Sequence, residues 1–445
     1  MSRIVIANVD SDAMCGNDMP PEIHALSSMC CCRLIVMAES EQDMVVVPHS
    51  ISDEFIRYVN ELLGRNLSAR NVVVPRDGDE KQLILNDESL NDGYVAAEIR
   101  SRAGGSVAGW ELETYFSDRA AVTLAEELQL AGAGPARNFL RAGGAETYNS
   151  KVLFRQLAEA IGAPVAEGRI AASERELAGA IAELMDRTGR VMVKQDLNSG
   201  SAGNTALTSF DEDVLTGASR VRRLTRGADV AEVARELWTE VAVQRNTRVV
   251  VEAYHFSQAV HYTEHYVHGP GRAPALMNFG EMRMEPTFIG FEIPCQRLGP
   301  QDIGEMIAHA TNLCREAGDR GFTGYMNVDS ILTEDGQMLF TEVNGRMGDC
   351  THIDYLARAL VGDDYNRTHV VLTRNWVKAT SFGATLKALG EAGVLFDHDT
   401  RSGVVIPIED TDRSGTVDYM VIGHDAAHAR DIEARTLDVL RAQTA

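Results

Sequence analysis

Basic residues are in short supply in this chain. Lysine and arginine number 42 against 65 aspartates and glutamates, a formal net charge of −23, and no Lys/Arg-rich block offsets it. Binding to a nucleic-acid backbone depends on clustered positive charge, so the composition argues against that partner. The acidity suits solubility instead. Nowhere are there about 18 uninterrupted apolar residues, the length a membrane-spanning helix needs, so no membrane is expected either. The seven cysteines are an odd number, with Cys30, Cys31 and Cys32 consecutive and the rest scattered. Neither a disulfide framework nor a Cys-x-x-Cys zinc pattern can be read from them. A reduced cytosol is the expected compartment, and Met1-Ser2-Arg3 leading straight into Ile4-Val5-Ile6 fits a cytoplasmic protein. Repeats and low-complexity stretches are also missing.

What is present is length and apolar content. With 445 residues, 44% of them hydrophobic, the chain can fill two or three cores, and several lobes sharing a cleft are expected. Residues 1 to about 140 carry short apolar runs at Ile4-Val5-Ile6-Ala7, Leu34-Ile35-Val36-Met37, Val45-Val46-Val47 and Val72-Val73-Val74. Such runs alternating with helical stretches predict a parallel sheet. Ala131-Gly132-Ala133-Gly134-Pro135 and Gly143-Gly144 mark a boundary. A helix follows, capped by Thr147 or Asn149 and stopped by Gly162 and Pro164. A second begins at the capping box Ser173/Glu176 and ends at Gly189. The strand Val191-Met192-Val193-Lys194 then enters the small-residue loop Leu197 to Asn204. A helix over Val230 to Trp238 precedes the run Thr247 to Val251. Segments Val260 to Val267 and Met277 to Met284 predict antiparallel strands, and a helix runs from Pro300 to about Ala317. The tail alternates at Val404-Val405-Ile406 and Val417 to Val421 before a last helix capped by Asp425.

The stretch Met326 to Asn344 reads as two strands joined by a tight Asp335-Gly336 turn. If those two residues form the loop, Glu334 faces Gln337, and counting back places Asp329 opposite Glu342, with Asn344 on the same face as Glu342. Like charges directly opposed repel, and a bound cation would resolve the conflict. Aspartate, glutamate and asparagine offer only hard oxygens, which suits Mg2+ or Mn2+. Lys194 ends a strand at the small-residue loop. Lys151 sits in a first helical turn, where the helix dipole disfavours a cation unless an anion is near. The loop Ser199-Gly200-Ser201-Ala202-Gly203 lets backbone N–H groups approach phosphate closely. Glu252-Ala253-Tyr254, ending a strand, can present backbone groups to a purine edge. His255, His261, His265 and His268 invite a zinc reading, but their spacing matches no strong motif.

Helix lysine, strand lysine, small-residue loop, Glu-x-x hinge, then Asp329 and the stretch Glu342-Val343-Asn344-Gly345-Arg346 follow in the order that resembles the ATP-grasp superfamily, over roughly residues 145 to 360. The whole chain looks like the pheganomycin-type peptide ligases within it. The resemblance implies an α/β (α+β) ATP-grasp fold. Residues 1–140 would be a Rossmann-like pre-ATP-grasp domain, 141–255 a small lobe with the phosphate loop, 256–375 a large lobe with the metal hairpin, and 376–445 a C-terminal α/β segment, the two lobes enclosing the nucleotide.

It further implies an ADP-forming ligase that activates a carboxylate as an acyl phosphate and joins it to an amine or the amino end of a peptide, as in antibiotic biosynthesis. ATP would be held by Lys151, Lys194, Ser199 to Gly203 and Glu252 to Tyr254, and Mg2+ (or Mn2+) by Asp329, Glu342 and Asn344. The implied partners are the small-molecule carboxylate and the amine, with a homodimer open as the assembly. Gln258 stands where many members place a ribose-binding carboxylate. Asn327 stands where many carry a basic residue, leaving Arg283 and Arg346 as candidates to stabilise an oxyanion. The alternatives are another ATP-grasp enzyme, a carboxylase or acyl-CoA synthetase, or a non-catalytic ATP-binding module.

Overall fold

The computed structural model describes residues 2–15, 27–76, 78, 84–130, 135–198, 201–225, 227–243 and 246–444. Four short strands open the chain: β1 (Arg3–Ile6), β2 (Met44–Val46), β3 (Val72–Val73) and β4 (Glu111–Thr114). They form a parallel sheet in the order β3-β2-β1-β4. The run Leu34 to Met37, expected as one of these strands, is part of a 3-10 helix, Cys31–Met37, buried throughout. It packs between the helix Thr351–Leu360 and a C-terminal strand. A run buried on every side has no periodicity to tell strand from helix. The strand that takes the remaining place, β4, is half-buried and polar.

The second sheet comprises β5 (Gly168–Ala171), β6 (Arg190–Gln195), β7 (Asn204–Thr208), β8 (Arg220–Arg223) and β9 (Val249–Ala253), ordered β5-β9-β6-β7-β8. The helices Glu174–Thr188 and Val230–Val241 bury Leu177, Ile181, Leu184, Leu237 and Val241 against Val191, Val193, Val249 and Val251. Strand alternation turns Met192 and Lys194 to the opposite face. The Ser173 cap is as expected, accepting the N–H of Glu176 at 3.3 Å, and Gly189 ends the helix in a left-handed conformation at φ 69°.

The third sheet has eight strands: β10 (Ser257–Val267), β11 (Ala275–Met284), β12 (Phe288–Ile293), β13 (Gly324–Thr333), β14 (Met338–Asn344), β15 (Val370–Lys378), β16 (Gly403–Asp410) and β17 (Thr416–Gly423). Their order is β14-β13-β10-β11-β12-β15-β17-β16, so the tail strands continue the sheet begun by the central hairpins. One face packs beneath the helices Pro300–Asp319 and Ala426–Thr444. The other faces a cleft shared with the first two sheets. Among the described residues no helix is long and apolar enough to cross a membrane.

Asp418 on β17 is buried and accepts the N–H of Trp376 at 2.7 Å, which holds Trp376 at φ 58° beside the cleft. Burial pushes its carboxyl up to about 7, against the pull of that N–H and of Arg33. The unfolded chain releases this proton near pH 4, roughly the free aspartate value, and the folded chain only near 7. Stability from this group is therefore full below about pH 4 and falls as pH rises towards 7. Asp418→Asn, which keeps an acceptor for Trp376, is expected to raise stability at pH 8 by at most about 4 kcal/mol and to change little at pH 4. Thermal melts followed by circular dichroism at the two pH values check this.

Candidate functional site

β13 and β14 owe their pairing to apolar residues that alternate with polar ones, and their turn to Gly336 at φ 82°, which a side chain resists. The turn N–H of Gly336 donates to Thr333 O at 3.0 Å, and the Thr333 N–H donates to Gln337 O at 2.9 Å. The loop is thus Glu334-Asp335-Gly336 rather than the expected Asp335-Gly336. Leu332 pairs with Met338 and Ser330 with Phe340, one residue off the expected register. A bulge at Thr341 restores it, and Asp329 lies opposite Glu342.

The three oxygen-bearing side chains converge. Asn344 Nδ2 is 3.4 Å from Asp329 Oδ2 and 3.4 Å from Glu342 Oε1. Burial first, then the Glu342 charge, raises the Asp329 carboxyl well above the usual range. Burial acts on Glu342 in the same sense, but Lys151 and a hydrogen bond from Asp329 prevail and hold it low. The two facing carboxyls are thus driven apart, Asp329 up and Glu342 down, as like charges at close range are.

Two lysines approach from the second sheet's side. Lys151 is the first residue of the helix Lys151–Ile161. Its cap is Ser150, not Thr147 or Asn149: the hydroxyl accepts the Leu153 N–H at 3.0 Å and donates to Asp196 Oδ1 at 2.6 Å. Asp196 also accepts the Val152 N–H at 2.9 Å, which puts a carboxylate at the positive end of the helix. Lys151 Nζ lies 3.1 Å from Glu342 Oε2 and donates to Asn198 O at 3.1 Å. Lys194 Nζ is 2.6 Å from Glu252 Oε2, whose other oxygen is 3.1 Å from Arg155 Nη1.

Lys194, Ser201, Ala202, Glu252, Ala253, Tyr254, Asp329, Glu342, Asn344 and Arg346 all line one cavity of about 360 Å3. Ser199 and Gly200 lie outside the described residues, as does the side chain of Gln258. Gly203 packs against its own hairpin, where a Cβ would come within 2.5 Å of Gln195 Oε1. The hinge differs in detail from the expectation. The N–H of Ala253 donates to Glu167 O at 2.8 Å and that of Tyr254 to Arg190 O at 3.2 Å, so neither is open to a purine edge. Arg346 Nη1 donates to Asn149 Oδ1 at 2.8 Å and to Asn344 Oδ1.

Arg283 is not brought to this cavity. Its neighbours Met282 and Met284 line it, and strand alternation sends Arg283 to the far face. There it pairs with Glu433 at 2.5 and 3.1 Å and donates to Thr373 O at 2.8 Å. The oxyanion role expected of it is thereby withdrawn. Asn327 is also committed to structure. It donates to Glu264 Oε1 at 3.4 Å and to Arg346 O at 3.2 Å, and Glu264 also accepts the Gly348 N–H at 3.3 Å.

Sequence reasoning missed the apolar lining, among it Met192, Ile331, Leu339 and Phe291, and the contribution of Asp10, Cys30 and Tyr115 from the first sheet's side. Asp10 and Tyr115 follow β1 and β4, at the carboxyl ends of adjacent parallel strands, where such sheets bind ligands. For Asp10 that signal was in the sequence, three residues past the first apolar run Ile4 to Ala7.

A model of the pre ATP-grasp domain matches residues 31–130, and one of the PGM1 C-terminal domain matches residues 384–436. No curated protein sequence matches the chain. Among solved structures, an ADP complex of N5-carboxyaminoimidazole ribonucleotide synthetase is 12% identical over 100% of this chain and 97% of its own, with a TM-score of 0.57. Biotin carboxylase from Campylobacter jejuni is 12% identical over 99% of this chain and 91% of its own, with a TM-score of 0.56. An L-amino acid ligase from Bacillus licheniformis is 12% identical over 100% and 98%, with a TM-score of 0.50. The fold is an ATP-grasp fold with a pre-ATP-grasp domain, as the order of motifs led us to expect.

Glu252 neutralises two buried cations at once, and removing one partner of such a cluster leaves the others uncompensated. Glu252→Ala is expected to destabilise the protein by about 3–5 kcal/mol, read from the midpoint of a urea unfolding curve.

Proposed function

We propose that this chain is an ATP-dependent carboxylate–amine ligase that forms an amide bond through an acyl phosphate. The observation that carries the reading is the facing pair Asp329 and Glu342, with Asn344 between them and Lys151 and Lys194 beside the same cleft. The donor types fit a hard divalent cation: two carboxylates face each other, and Asn344, whose Nδ2 now lies toward them while Arg346 holds its Oδ1, would turn its amide to offer the oxygen. Asp329, Glu342 and Asn344 would hold Mg2+ or Mn2+, which when bound neutralises phosphate charge.

The chain's own residues then do the rest by position and charge. A substrate carboxylate oxygen attacks the γ-phosphorus of ATP, the bond to the bridging oxygen breaks, and ADP leaves. Lys151 and Lys194 would offset the charge that moves onto the leaving group, exchanging their present carboxylate partners for phosphate oxygens. An amine nitrogen next attacks the acyl carbon, the carbon–oxygen bond to phosphate breaks, and the nitrogen loses a proton. Arg346, beside Asn344 and near Tyr115, would stabilise the oxyanion. Ser201 and Ala202, which line the cavity, would lie against the phosphates and help keep water away.

Our finer reading is a peptide ligase of the pheganomycin type, joining an amino-acid-derived carboxylate to the amino end of a peptide in natural-product biosynthesis. The overall resemblance of the sequence supports it. So does Asp10 in the cavity lining, a carboxylate suited to a cationic substrate group. The names of the carboxylase-like neighbours favour a second reading, in which bicarbonate is the carboxylate.

The test is ADP release in the presence of ATP, Mg2+ and pools of carboxylates and amines, with new amide masses read alongside. Release that requires both an organic carboxylate and an amine supports the ligase. Release with bicarbonate alone selects the carboxylase, and nucleotide binding without turnover sinks both. Glu342→Gln is expected to lower turnover by at least about 100-fold, the scale of losing one preorganised charged group, with an unchanged circular dichroism spectrum. Near-normal activity in that variant would contradict the metal assignment.

A further inference from the structure

The far face of the eight-stranded sheet, away from the nucleotide cleft, carries a second cluster of metal-ligating groups. His261 on β10, Glu281 on β11 and Cys295 just after β12 each direct one donor atom to a common point, and the three atoms lie within 4.8 Å of one another. All three residues are buried, at 0%, 4% and 7% exposure. His261 and Glu281 are direct cross-strand partners. Glu281 is split in its use: Oε1 sits 3.2 Å from Arg297 Nε, while Oε2 lies 3.9 Å from Cys295 Sγ.

His261 is the anomaly that calls for a ligand. Its ring is fully buried, yet neither Nδ1 nor Nε2 has a hydrogen-bond partner among the described residues. Leaving two such atoms unsatisfied is costly, and buried polar side chains nearly always find partners. On the other side of His261 its cross-strand neighbour Ser330 is also buried, with a hydroxyl that likewise has no partner among the described residues. Burial pushes the Cys295 thiol up, with the backbone N–H groups of Arg297 and Leu298 acting the other way, so in the empty site the sulfur keeps its proton.

We infer that His261, Glu281 and Cys295 form a binding site for a borderline transition ion, Zn2+ above all. One nitrogen, one oxygen and one sulfur make a donor set that zinc takes and magnesium does not. Ligands on zinc at about 2.0 to 2.3 Å in tetrahedral array stand roughly 3.5 Å apart, so the 3.9 Å between Cys295 Sγ and Glu281 Oε2 needs little closure. Arg297 on Oε1 would orient the carboxylate for binding through its other oxygen. Binding forms metal–nitrogen, metal–oxygen and metal–sulfur bonds and releases the thiol proton of Cys295. Three protein ligands leave a fourth position for water or a further donor. The ion would tie β10, β11 and the segment after β12 together behind the cleft wall that Val260, Tyr262 and Met282 provide.

The experiment uses the full chain, stripped with a chelator and returned to excess Mg2+ so that the oxygen-only site is saturated. Titration with Co2+ is expected to give a thiolate-to-cobalt charge-transfer band at one equivalent, which Zn2+ then abolishes by displacement. Cys295→Ser and His261→Gln are each expected to remove the band and to weaken Zn2+ binding by more than about 100-fold, since loss of a group that merely orients a ligand already costs 10- to 100-fold. A missing band in the unaltered protein, or a band that persists in Cys295→Ser, overturns the assignment. Should either variant fail to fold, alkylation of the unaltered protein decides: Zn2+ must slow modification of Cys295, mapped by peptide mass spectrometry, and equal rates with and without Zn2+ refute the site.

Discussion

Two carboxylates held face to face across a pair of strands are the constraint around which this cleft is arranged. Asp329 and Glu342 repel, and hydrogen-bonded register leaves them nowhere to go. Everything near them answers that repulsion. Lys151 reaches Glu342 from a helix start, Asn344 bridges the two, and Arg346 braces Asn344 from the side of the first sheet. Lys151 would itself be ill placed at a helix N-terminus without the carboxylate of Asp196 capping the same turn. Charges of both signs are thus stacked from the hairpin outwards, and under the proposed function a nucleotide and its cation would exchange for contacts that already exist.

Much of this was written in local sequence. Asp329 and Glu342 could be paired from the Asp-Gly turn alone, although the route was not the one expected. A three-residue loop and a bulge at Thr341 cancel each other, and a register count cannot see compensating irregularities. Helices with strong caps, such as Glu174–Thr188, were legible because Ser173 and Gly189 act within one turn of the chain. The run Leu34 to Met37 misled because complete burial erases periodicity, and the polar β4 was overlooked because only its neighbours make it a strand.

Arg283 teaches the opposite lesson, for there the sequence held the answer. An arginine between two methionines on a strand must face away from whatever the methionines face, and Met282 and Met284 face the cleft. The residues that sequence could not assemble at all are those gathered from far apart. Asp10 could be placed after its strand, but Tyr115 and the apolar lining join it only once three sheets are in place. His261, Glu281 and Cys295 likewise share no motif spacing, and only strand pairing brings them together.

The strand order β14-β13-β10-β11-β12-β15-β17-β16 interleaves early and late parts of the chain. β15 cannot complete its hydrogen bonds until β17 has been made, and the helix that clamps Arg283 through Glu433 comes after both. During synthesis the chain therefore emerges with β15 lacking one of its two hydrogen-bonding neighbours until β17 follows. Closure of such distant pairings is slow compared with local helix formation. The opposite edge, β14, is met at one point, where the Phe340 N–H donates to Pro164 O at 2.8 Å and Val165 bridges to Phe340. An edge strand left unpaired is open to intermolecular pairing, and at Phe340 the segment Pro164-Val165 covers part of that edge.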